Sequence, residues 1–304
     1  MLEEPRRHEP VSITSLLHKL LLSCTVYSFM ALWNSPVIRN RTEEMENQGS
    51  WFSRTLHDPY EPCFTQFFVN GQPPFGLRNN LNPIKYICQQ IPGSHRVFYG
   101  TMFDGDAGIA VYSAYKLAAN FDGNGAGQAR WHQEPGIERQ GSEQMYRNQP
   151  FHRGHLVPAR AMSIDRSHYK STYNQAHRNG VLYLLTGPSF VQLHHANPVG
   201  FGLGPAIQRL GGSNPGIIIP HSMWTAGCRV GANGIESFAV TGGNLPHIAS
   251  NTQQITVQQL QEILSADVTH RNFGGPNVNL FPGNVNCANN NDSLAHLPQA
   301  VQGD

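Results

Sequence analysis

The chain has 304 residues with 21 Lys+Arg against 20 Asp+Glu, a formal charge of +1 that excludes an extreme polybasic binder while leaving room for a local basic groove. Charged residues make up only 13%, and Gly (30) with Pro (21) supplies about a sixth of the chain, so many short strands and turns are favoured over a helical bundle. The length suits one large domain or a domain with extra segments.

In chain order, the first feature is an apolar run from Leu20 to Trp33, preceded by Arg6, Arg7 and Lys19. It is short for a membrane span and suits the apolar centre of a signal peptide, which implies secretion. An uncleaved membrane anchor is the alternative, and no stable membrane span is expected. Cys24 lies in this run. The other four cysteines, Cys63, Cys88, Cys228 and Cys287, form two disulfides in one of three connectivities in an oxidising compartment. No CxxC or CxxxC pair is present, which argues against a zinc knuckle. Residues 36–60 read as a polar linker, in which Asn40-Arg41-Thr42 is a possible glycosylation acceptor.

A globular pattern starts near Pro62, and the domain is expected over 61–270. Val97–Phe103 and Ile109–Tyr115 read as two strands of a hairpin around an Asp104–Gly108 turn. Residues 118–150 read as loop. Phe151–Pro158 reads as a strand ending in a turn, followed by a helix over Ile164–Asn179 with Ser163 as N-cap. Val181–Thr186 is an apolar strand closed by Gly187-Pro188, and Gly216–Pro220 and Ser237–Thr241 are further strands. Thr256, with Gln259 three residues on, caps a last helix over Val257–Leu264. Residues 271–304 form a tail whose Asn277–Asp292 stretch is Asn-rich and expected to be irregular.

The chemistry concentrates in Arg153-Gly154-His155-Leu156-Val157-Pro158. Phosphodiester hydrolysis needs a base to activate water, a cation to stabilise phosphate charge, and often an arginine on the phosphate. A histidine at a strand end can take the water proton near neutral pH. Glycine before it lets substrate approach the backbone, and Arg153 can present its fork to phosphate.

This stretch resembles the D-R-G-H-x-x-P signature of the DNA/RNA nonspecific endonucleases. Other pieces resemble a vertebrate branch of that family, the endonuclease domain-containing 1 proteins. They are Cys63 with Phe67-Phe68 and Gly71, Lys85–Gln89, Ile109–Tyr115, Leu182–Pro188, and Ile219–Ala226 with Cys228, in matching order. The resemblance implies an α+β fold: a mainly antiparallel sheet with flanking helices and a ββα-metal (His-Me) site. It implies a hydrolase in which His155 is the general base, Arg153 contacts phosphate or shapes the site, and Asn174 holds Mg²⁺ (or Mn²⁺) with water and substrate oxygens. The implied partner is DNA or RNA, bound without sequence preference.

The chain departs from the pattern in three ways. The leading Asp is His152, a T-N-x-x-P-Q return strand is not recognisable, and the strand at Val181 follows Asn174 too soon for a long metal helix carrying a glutamate. These departures support a rival reading, a secreted pseudo-nuclease that binds nucleic acid or a protein without cutting. Residues 130–180 hold eight Lys/Arg against four Asp/Glu, compatible with a phosphate-facing patch or with a solvated surface. His152 and His155 with His168 or His177 make a weaker zinc candidate. Asp165-Arg166-Ser167-His168 is read as coincidence and His194-His195 as surface. Asp104 and Asp106 are assigned to turn chemistry, and Trp224 to the core.

Overall fold

Runs rich in Val, Ile, Tyr and Phe, broken at short intervals by Gly, Asp and Pro, favour extended segments joined by turns. The computed structural model describes residues 54–77, 84–90, 97–117, 133–134, 136–147, 181–193, 201–203, 208–211, 216–231, 234–244, 253–267 and 277–289. In chain order the first elements are β1 (Arg54–Leu56), α1 (Pro62–Thr65), β2 (Ile84–Gln90), β3 (Val97–Asp104), β4 (Ile109–Leu117) and α2 (Glu143–Tyr146). Next come β5 (Val181–Ser189), β6 (Val191–Leu193), β7 (Phe201–Leu203), β8 (Gln208–Leu210) and β9 (Ile217–Ile219). The last are β10 (Ser222–Gly231), β11 (Gly234–Gly243), β12 (Gln253–Ile255), α3 (Val257–Ser265) and α4 (Asn286–Asn289).

Eight strands form one sheet in the order β1-β2-β3-β4-β5-β10-β11-β12, with every neighbouring pair antiparallel. β6 pairs with β7 and β8 with β9 as separate two-stranded ribbons, an excursion between β5 and its sheet neighbour β10. The architecture is α+β and mainly antiparallel, as the sequence leads one to expect.

Register gives the two faces of the sheet opposite characters, because side chains alternate along each strand. One cross-strand row runs Cys88, Gly100, Ala114, Leu185, Ala226, Ala239, Ile255. These mostly small residues let the covering layer come close. Phe64 of α1 packs edge-on to Tyr86, and Val257, Leu260, Ile263 and Leu264 of α3 join the same core, each at most 1% exposed. The α3 stripe follows helical spacing, and its start is fixed by a capping box in which Thr256 and Gln259 each bond the other's backbone.

Residues 277–289, read from composition as irregular, include the short helix α4 and pack into this core through Val278, Leu280, Phe281 and Cys287. They lie as a strap between α3 and the N-terminal layer. Ser265 Oγ accepts from Val278 N, Gln261 Oε1 accepts from Leu280 N, and Phe75 and Asn279 form an antiparallel bridge. The strap passes so close at Gly283 that a Cβ there would lie 1.9 Å from the Val69 carbonyl oxygen. The disulfides are Cys63–Cys88 and Cys228–Cys287, which selects one of the three possible connectivities. With separations of 25 and 59 residues they restrict the unfolded chain by about 3.5 and about 4 kcal/mol on a loop-entropy model.

β5 runs further than the sequence predicts, and β10 is a strand the sequence does not predict. β5 continues through Gly187-Pro188 to Ser189, since its ladder with β4 ends at Thr186 while Trp224 Nε1 donates to the Pro188 carbonyl at 3.0 Å. Trp224 is core, 2% exposed. β10, ten residues long, has no strong strand signature because Ala226 and Gly227 lie at its centre. Gly227 is needed there: a Cβ would lie 2.2 Å from the buried Phe238 ring. Gly227→Val is therefore expected to cost about 1–3 kcal/mol by overpacking, and Leu260→Ala about 2–5 kcal/mol by leaving a cavity. Urea unfolding of both variants, with Phe238→Ala added to Gly227→Val to test for partial recovery, checks this.

Candidate functional site

Phe151–Pro158 with Arg153 and His155, and the Ile164–Asn179 helix with Asn174, lie outside the described residues. So do His152, His168, His177, His194 and His195. What the structure gives is the frame on which that stretch is mounted. β4 ends at Leu117 and β5 begins at Val181, and Leu117 pairs with Leu182. The end of β4 and the start of β5 thus stand at neighbouring positions on two central strands.

The face opposite the helices carries a row of hydroxyls. Ile87, Thr101, Ser113, Thr186, Thr225 and Val240 stand directly across from one another on six consecutive strands. Thr101 and Ser113 share a hydrogen bond of 2.8 Å and Thr186 and Thr225 one of 3.0 Å, all four residues being buried. Pairing satisfies these hydroxyls, which would otherwise be costly to bury. At the Leu182 end of the same face, Arg229 forms an ion pair with Glu236, its cross-strand partner.

Residues 133–147, inside the long connection, are seated against this face. Gln89 Nε2 donates to Glu134 Oε2 at 3.3 Å, and four residues earlier on the same side of β2 the Lys85 ammonium donates to the Gly136 carbonyl. Arg139 donates to the Asp106 carbonyl in the β3–β4 turn. That turn is built as the sequence suggests, with Asp104 Oδ1 accepting from the backbone of Asp106 and Ala107. Gln140 folds the segment on itself, accepting from Glu134 N and donating to the Glu134 and Ile137 carbonyls. Beyond it, Ser142 caps α2, and Met145 and Tyr146 pack with Ile109 against Leu210, Ile217 and Ile219. Lys85 and Gln89 lie in the Lys85–Gln89 stretch quoted for the resemblance, but their partners Gly136 and Glu134 are 51 and 45 residues away, so the sequence carried no signal for this seat.

Burial raises the Glu134 carboxyl above its ordinary range, an effect the hydrogen bond from Gln89 offsets only in part. Tyr99 is pushed up to about 12, first by burial and then by the nearby Glu134 charge. Tyr86, on the helix-covered face, also reaches about 12 through burial, with Tyr60 and Asp58 adding to it. His221 is buried at the root of the β6–β9 excursion. Its Nδ1 lies 2.8 Å from the Phe190 carbonyl oxygen, and Asp267 accepts from Ser189 Oγ and Phe190 N beside it. This polar knot holds a corner of the fold. Among the described residues, no group of three or more His, Cys, Asp or Glu side chains is placed to hold a metal ion, and no helix is long and apolar enough to cross a membrane.

Two pH effects follow. An acid whose folded pKa is raised stabilises the fold fully below its unfolded pKa and loses that contribution as pH rises. Glu134→Gln should therefore raise Tm at about pH 8 and leave it unchanged near pH 4, where the wild-type carboxyl is protonated in both states. Tyr86 and Tyr99 should stay protonated past pH 10 and ionise only as pH climbs through about 12. Tyr112 is pushed up further still by burial, so absorbance at alkaline pH should show late phenolate ionisation that coincides with loss of structure.

The family model for DNA/RNA non-specific endonuclease matches residues 89–179, from Gln89 in β2 through β3 and β4 and across Arg153, His155 and Asn174. A chain in a crystal structure of the EndoG/EndoGI complex, which addresses the mechanism of EndoG inhibition, aligns at 12% identity. The alignment covers 66% of this chain and 89% of that one, with a TM-score of 0.44. No curated protein matches. The match to the DNA/RNA non-specific endonuclease family model thus covers 91 of the 304 residues.

Proposed function

We propose that this chain is a divalent-metal-dependent endonuclease that hydrolyses phosphodiester bonds of DNA and RNA with little sequence preference. The observation that supports it is the family match over 89–179, a stretch that contains Arg153-Gly154-His155 and, later, Asn174. In this reading His155 takes the proton from the attacking water, a role suited to an imidazole near neutral pH. Arg153 directs its guanidinium N–H groups at the phosphate. Asn174 is the residue that would hold the cation, Mg²⁺ or Mn²⁺, a sparse protein ligation that suits a hard ion keeping its waters. When bound, the ion supplies positive charge against the phosphate and leaving oxygen. The nuclease domain is taken as residues 61–270, with the strap 277–289 closing its core. The two disulfides are compatible with an oxidising, extracellular setting, in which residues 1–35 act as the signal segment or, alternatively, as a membrane anchor.

A second reading has its own observation. β5 begins at Val181, so only residues 175–180 separate Asn174 from the sheet, too few for a long metal-binding helix to continue. With His152 in place of the family's Asp, this favours a pseudo-nuclease that binds nucleic acid or a protein without cutting it.

One assay separates the readings. Purified protein is incubated with supercoiled plasmid and Mg²⁺ or Mn²⁺, beside EDTA and His155→Ala controls. Nicking abolished by EDTA and reduced by roughly a hundredfold or more in His155→Ala is the result expected of the enzyme. Absence of nicking, with a gel shift that persists in EDTA, supports the binder.

A further inference from the structure

We propose that Cys63–Cys88 is a redox catch whose opening loosens the segment 133–147 from the sheet, while Cys228–Cys287 stays closed. The inference goes beyond the nuclease reading and does not depend on it. Cys63 of α1 packs against the core but is only partly buried, whereas Cys88, Cys228 and Cys287 are each 0% exposed. Thiol–disulfide exchange requires a thiolate to reach a sulfur, so a reductant meets one bond and is denied the other.

The position of that bond gives its opening a consequence. Among the described residues β2 lies one strand from the sheet edge, and its outer neighbour β1 pairs with Tyr86, Ile87 and Cys88. Cys88 points to the helix-covered face, where the disulfide ties β2 to α1. Gln89 and Lys85 point to the other face and hold Glu134 and Gly136. The same short strand thus carries a covalent tie on one side and the seat of residues 133–147 on the other. Removing the tie widens the range of conformations open to β2, and local opening of β2 releases both contacts together.

The exchange balances as follows. A thiolate of a small dithiol attacks Cys63 Sγ, the Cys63–Cys88 bond breaks, and Cys88 leaves as a thiolate that takes up a proton. The second thiol of the reagent then displaces Cys63 from the mixed disulfide. Two cysteine thiols are left in the protein and a disulfide in the reagent, a transfer of two electrons.

The test uses the full chain under native conditions with graded dithiothreitol, timed alkylation, mass mapping of the labelled cysteines and hydrogen exchange of the same samples. Cys63 and Cys88 are expected to label roughly tenfold or more faster than Cys228 and Cys287. Exchange in peptides covering 84–90 and 133–147 should rise by roughly tenfold at that first step, leave 222–231 unchanged, and return on reoxidation. A Cys63→Ser/Cys88→Ala variant should show the loosened pattern without reductant. Should that variant not fold, the reversible wild-type experiment decides alone. Simultaneous labelling of the four disulfide-bonded cysteines, resistance of Cys63–Cys88 in the native protein, or selective opening with no change in 133–147 would each overturn the proposal.

Discussion

The antiparallel pairing of β4 with β5 is the contact on which the rest depends. Its register, Ser113–Leu117 against Leu182–Thr186, joins the strands before residue 118 to those after residue 180 in a single sheet. Neighbouring antiparallel strands are usually linked by a tight turn, but the entropy of closing a longer connection grows only logarithmically, about 0.6 kcal/mol per doubling of length. A sheet whose central strands are buried can therefore accommodate a long functional segment between them. The family-matched stretch uses this opening: it begins in β2, builds the β3–β4 hairpin and continues into the connection.

The sheet also divides its labour by face. Small residues on one side admit α1, α3 and the strap and hold both disulfides, which makes that side the stabilising core. The other side adds paired hydroxyls to buried apolar residues such as Leu184 and Phe238, and carries the side chains that receive residues 133–147. A polar layer is matched by partners of fixed geometry, so it specifies where an overlying segment must sit more narrowly than an apolar surface of the same size.

Local chemistry was legible in the sequence. The β3–β4 hairpin, the Asp104 turn, the strand after residue 180 and the Thr256 capping box are each written in a few adjacent residues, and each is present. What escaped was decided at a distance. β10 looks like a poor strand because Gly227 answers to Phe238 on the neighbouring strand. An Asn-rich stretch looks like a tail because the partners of Val278 and Leu280 are side chains of α3. Disulfide pairing likewise depends on which helix lies over which strand, α1 over β2 and α4 over β10. For the candidate site, the motif around His155 suggests a chemistry, and the family model's match over residues 89–179 spans it. The seat formed by Lys85 and Gln89 became visible only once β2 was set beside residues 134 and 136.

The strap has a consequence for how the chain is made. Asn70, near the start of the domain, donates to the carbonyl of Gly283, 213 residues later, and Phe75 waits on Asn279. Cys63 meets Cys88 early in synthesis, but Cys228 has no native partner until Cys287 emerges. During elongation the helix-facing core stays open and one thiol stays available for wrong pairing. Contacts this remote in sequence make for slow maturation, with closure of Cys228–Cys287 among its late steps.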